Sequence, residues 1–87
     1  MKIFWDGISK NIIGSKIKTL RKENNLTQKE LAEKLQLEGH EFSDLTILRI
    51  EQGKRFVSDF EVIILADFFG ITTDELLIKD HKDDKSM

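Results

Sequence analysis

The 87-residue chain has no cysteine, no proline and no tyrosine, and only one tryptophan. Without thiols it can form no disulfide framework, thiolate nucleophile or zinc ribbon, and nothing in it depends on an oxidising compartment. Without proline, no helix interior loses an amide donor or meets a ring clash. No apolar run approaches the roughly 18 residues of a membrane span, and the opening MKIFWDGISK lacks the long apolar stretch of a secretory signal. A soluble cytoplasmic protein with no membrane partner is expected. Histidine occurs only as His40 and His81, one in a turn and one in a polar segment, so neither a metal site nor a cofactor is expected. No serine or threonine has a histidine at motif spacing and no glycine-rich phosphate loop occurs, which argues against an enzyme.

A strongly basic balance is missing too: the net charge is −2 and the pI about 5.6. The average conceals a gradient. Residues 8–35 hold seven cations against three carboxylates, whereas residues 59–87 hold three lysines against eight carboxylates. One end of the molecule can therefore approach a polyanion while the other keeps it in solution.

What is present is aliphatic residues at helical spacing, and they predict an all-α fold of five helices. Ile13, Ile17 and Leu20 mark a first helix that stops at Glu23-Asn24-Asn25, where asparagine favours a C-terminal turn. Thr27-Gln28-Lys29-Glu30 has the form of a capping box and opens a second, with Leu31, Ala32 and Leu35 as its apolar stripe. Ser43 caps a third, over 43–52, which Gly53 ends. At about 100° per residue, placing Ile47 and Ile50 inward turns Leu45, Leu48, Arg49 and Gln52 outward. The fourth runs from about Ser58 to Phe69 with Gly70 as its stop, and the fifth starts at Thr72 or Thr73 with Asp74 and Glu75 in its first turn.

The fourth helix is apolar almost all round and should be covered on more than one side. Either a Phe4-Trp5 arm folds over it, or Phe60, Ile64 and Phe68 form a homodimer seam. The expected organisation is an N-terminal arm (1–12), a compact five-helix domain (13–78) and a charged tail (79–87).

A capped helix followed by a second capped helix with a stop glycine is the sequence form of a helix-turn-helix. From Ile13 to Leu77 the chain resembles the Xre, or phage repressor and Cro, type of lambda-repressor-like domain. IGSKIKTLRKENNLTQKELAEKL, SDLTILRIEQGKR and LADFFGITTDELL carry the likeness. The resemblance implies binding to double-stranded DNA. The third helix would be the recognition helix, with Ser43, Asp44, Leu45, Thr46, Leu48 and Arg49 toward the major groove. Thr27, Gln28 and Lys29 would meet the DNA at the N-terminus of the second helix, and Lys54 and Arg55 would meet phosphates. Arg21 and Glu51 would form an internal ion pair between the first and third helices.

The chain departs from the family pattern twice. QLEGHEF stands where a tight turn is usual, which extends the second helix to about Leu37, turns the chain at Glu38-Gly39-His40 and leaves Phe42 as an apolar plug. Asp44, Leu45 and Leu48 stand where arginine, glutamine, serine or lysine is common. Asp44 can accept from the N4 amino group of cytosine, the leucines can pack on thymine methyl groups, and Arg49 can take two hydrogen bonds to guanine. Paired exposed leucines also mark protein-docking surfaces. Two readings follow: a dimeric DNA-binding repressor, or a protein-interaction module of antitoxin or antirepressor type on the same scaffold.

Overall fold

The computed structural model describes residues 9–78. The Phe4-Trp5 arm, His81 and the tail 79–87 lie outside the described residues. Five helices follow one another: α1 (Gly14–Glu23), α2 (Gln28–Leu37), α3 (Asp44–Glu51), α4 (Asp59–Phe69) and α5 (Thr73–Leu77). Among the described residues there is no strand, and α3 packs against both α1 and α2.

Local chemistry sets most of the helix boundaries. Thr27, Ser58 and Thr72 each cap a helix with a reciprocal glutamate three residues on, forming capping boxes with Glu30, Glu61 and Glu75. Ser43 caps α3 by accepting from the Thr46 amide at 3.1 Å. At the other end of α3 the Gly53 amide donates to the Ile50 carbonyl and the Lys54 amide to that of Arg49, a Schellman closure. That closure needs φ of +72° at Gly53, which a residue with a Cβ resists. Asn25 takes the same role after α1 at φ +57°.

The core is aliphatic. Ile13, Ile17, Leu31, Leu35, Ile47, Ile50, Leu65 and Leu76 are fully buried, and each contributes ~1.5 to 3 kcal/mol by leaving water. Phe42 is buried as the expected plug, and α2 reaches Leu37. The longer α2–α3 connection is held from both sides. His40 N–H donates to the Leu35 carbonyl at 3.0 Å, and Gln36 Nε2 to the Phe42 carbonyl at 2.6 Å.

Two anchors went unforeseen. Asn11 Oδ1 accepts from the amides of Ile13 and Gly14, starting α1, while its Nδ2 donates to the carbonyls of Ile50 and Arg55. With Lys10 N–H on the Gly53 carbonyl at 2.8 Å, residues 10 and 11 of the expected arm are fastened to the end of α3. The second anchor is Glu61, which caps α4 and also accepts both terminal nitrogens of Arg55 at 2.9 Å.

The Arg55 guanidinium, and secondarily the Ser58 amide, hold the Glu61 carboxyl below the ordinary glutamate value of 4.5. A depressed folded value contributes stability that is present above the unfolded value and is lost as pH falls through the folded one. Glu61→Gln should therefore be less stable than the parent near neutrality. The gap should close as pH is lowered from about 5 through and below the ordinary glutamate value. Urea midpoints across that range measure it; a gap independent of pH would show that the carboxylate charge contributes nothing.

The fourth helix buries Val62, Leu65 and Ala66, and half-buries Ile64, Phe68 and Phe69. The rings of Phe68 and Phe69 meet edge to face at 5.0 Å. Phe60 and Ile63 remain 75% and 50% exposed. Of the expected seam, Phe60 thus stands in solvent while Ile64 and Phe68 lean on the core. The outermost apolar pair is Phe60 and Ile63, one turn apart.

Candidate nucleic-acid interface

The inner face of α3 fixes its outer one. Ile47 and Ile50 are completely buried, so Leu45, at 48% exposed, Arg49 and Gln52 face solvent and Leu48 is partly covered. Behind α3 stands the Arg21–Glu51 ion pair, with side chains only 10% and 3% exposed. Arg21 Nε and Nη2 donate to the two carboxylate oxygens at 2.7 and 3.1 Å, and Nη1 donates to the Leu26 carbonyl at 2.8 Å. The hydrogen bonds that Arg21 donates to Glu51 outweigh burial and raise the affinity of the guanidinium for its proton.

That pair reaches the surface through Gln28. Its Nε2 donates to Glu51 Oε1 at 3.0 Å, so the amide is oriented by the same carboxylate that holds Arg21. The start of α2 thereby lies against α3. Thr27, Gln28 and Lys29 form one wall, and Asp44, Leu45 and Leu48 the other, of a groove of about 320 Å³. Asp44 Oδ1 accepts from the Leu45 amide at 2.8 Å.

The remaining sequence-predicted residues divide between this face and the scaffold. Arg49, Lys29 and Lys54 are exposed and join no ion pair among the described residues. Ser43 and the half-buried Thr46 share a hydroxyl contact of 3.0 Å at the start of α3. Thr27 is engaged in its capping box. Arg55 stands apart: both its terminal nitrogens face Glu61, and it braces the start of α4.

Sequence reasoning missed Asn11, Glu61 and the Gln28–Glu51 link. Ser58-x-x-Glu61 has the spacing of a capping box and was the available sign for Glu61. Asn11, three residues before Gly14, has the spacing of a side-chain cap. Nothing local marks the Gln28–Glu51 contact, which spans 23 positions.

Comparison with known proteins gives a consistent result. A helix-turn-helix family model matches residues 17–76. Among solved structures, the chain is similar to the DNA-binding domain of BldD, with a TM-score of 0.68 and 27% identity, over 85% of this chain and 99% of that one. No curated protein matches.

Proposed function

This chain belongs to the Xre and lambda-repressor-like helix-turn-helix family, and from that premise we propose that it is a sequence-specific regulator of transcription that binds double-stranded DNA. The observation that carries the reading is the two-sided build of α3. Ile47 and Ile50 lock one side into the core, and the other presents Leu45 and Leu48 beside the N-terminus of α2, with Arg49 exposed. A rod held in this way enters a major groove without rearranging, and the backbone amides at both helix starts favour phosphate. The structure solved for the DNA-binding domain of BldD supports the same use of the scaffold.

Lys29 and Lys54, exposed and uncommitted, supply the sequence-independent affinity. Gln28, Asp44, Leu45, Leu48 and Arg49 supply selectivity. Arg55, tied to Glu61, serves the frame. Residues 13–78 form the binding domain, which acts as a repressor by occluding a promoter. It binds as a homodimer on a two-fold related operator, joined along the outer flank of α4 at Phe60 with Ile64 and Phe68 beside it.

Selection from a randomised duplex pool, with salt titration of the enriched duplexes and sedimentation of the complex, tests the proposal. Arg49→Ala should cost ~1 to 3 kcal/mol on the selected duplex and relax its specificity. Lys54→Ala should weaken all duplexes alike and reduce the salt slope by about 1. Affinity that ignores both salt and sequence would overturn the assignment.

A further inference from the structure

The groove between α2 and α3 has an unusual lining for a surface offered to a polyanion. Asp44 is exposed and has no cationic partner among the described residues. Its Oδ1 is held by the Leu45 amide, which leaves Oδ2 as an acceptor. On the opposite wall, Gln28 commits one N–H of Nε2 to Glu51, which leaves Oε1 as an acceptor beside the second N–H. The groove thus presents two acceptors. A carboxylate facing a duplex is repelled by phosphate unless it meets a base-edge donor, and in the major groove those donors are the amino groups of cytosine and adenine.

Leu45 and Leu48 set apolar surface within one turn of that acceptor. The complementary base edge is a donor with a methyl group directly beside it. In an A·T pair the thymine O4 acceptor separates the adenine amino group from the methyl, and a G·C pair has no methyl at all. A cytosine methylated at C5 carries donor and methyl on neighbouring ring atoms. A cytosine stacked next to a thymine offers the same pairing across one step.

Resting on the DNA-binding reading above, we propose that this groove reads a cytosine amino group together with an adjacent methyl. The methyl comes either from C5 of that cytosine or from thymine at the neighbouring step. Asp44 accepts from N4, and Leu45 and Leu48 cover the methyl.

Three randomised duplex pools test this with the full chain: one with ordinary bases, one with 5-methylcytosine for cytosine, and one with deoxyuridine for thymine. Enriched duplexes should share a cytosine. Tightening on the order of fourfold in the 5-methylcytosine pool assigns the methyl to the cytosine itself. A comparable loss in the deoxyuridine pool assigns it to a neighbouring thymine.

Two exposed-site variants separate the contributions. Leu45→Ser should erase the methyl response and keep the cytosine preference. Asp44→Asn should lose that preference in favour of adenine, which asparagine pairs through two bonds. Thermal unfolding confirms that both variants fold. Sequence-selective, salt-sensitive binding that ignores every methyl change, with Asp44→Asn keeping the parent's preference, would overturn this inference and leave the DNA-binding reading intact. Absence of salt-sensitive binding to all three pools would overturn both.

Discussion

Glu51→Ala is expected to destabilise the domain by ~3 to 5 kcal/mol, a large part of the ~5 to 15 kcal/mol that holds a domain of this size together. The loss comes less from the attraction removed than from the charge left behind. Arg21 would remain almost wholly buried, with one carbonyl, that of Leu26, in place of three acceptors. Gln28 would lose its acceptor in the same step. Replacing both ions by methionine should cost clearly less than the single change, because no stranded charge remains. Urea denaturation of Arg21→Met, Glu51→Met and the double methionine variant, with Glu51→Ala beside them, closes the cycle. Loss of under ~1 kcal/mol in Glu51→Ala would mean that the pair is exposed to water in solution and does not brace α3.

Gly14→Ala should be nearly as damaging, by about 3 kcal/mol, at the upper end of what overpacking costs. An added Cβ would clash with the Ile50 carbonyl oxygen and would meet that of Glu51 at 3.1 Å. Alanine gains up to ~1 kcal/mol in helix propensity over glycine, so the sign depends on whether the carbonyl can retreat. It cannot do so freely: the Ile50 oxygen already accepts from Asn11 Nδ2 and from the Gly53 amide. The clash wins, and α1 must separate from α3. Each kcal/mol lost lowers the melting temperature by ~4 to 8 °C in a domain of this size. Calorimetry of this variant reads the effect directly. An unchanged melting temperature would imply that α1 and α3 stand further apart than described.

Those two sites differ in how far a reader of the sequence could have foreseen them. The helix starts at Thr27, Ser43, Ser58 and Thr72 and the stops at Gly53 and Gly70 were legible, because caps act over three or four residues. The Arg21–Glu51 pair followed from the family resemblance, and the inward turn of Ile47 and Ile50 from periodicity. The contacts of Asn11 Nδ2 and of Gly14 were not legible. Their partners lie on α3 and in the loop after it, and a contact across 39 positions leaves no local pattern.

Arg55 and Lys54 look alike in sequence, as neighbouring cations after a helix. Only the fold reveals that Glu61 engages one and leaves the other free. The rotation of α4 was equally hidden. A helix apolar on every side has no stripe to orient it, so whether Ile63 or Ile64 faced outward was undetermined until the neighbours were in place.

The connection between α2 and α3, although longer than is usual, is pinned by Gln36 on the Phe42 carbonyl and His40 on that of Leu35. Both walls of the groove therefore arrive at a duplex already in their final relation, with no ordering left to complete on contact. Encounter should proceed at similar speed on matched and mismatched sites, and discrimination should appear in residence time. A regulator built this way samples many sequences quickly and lingers on few.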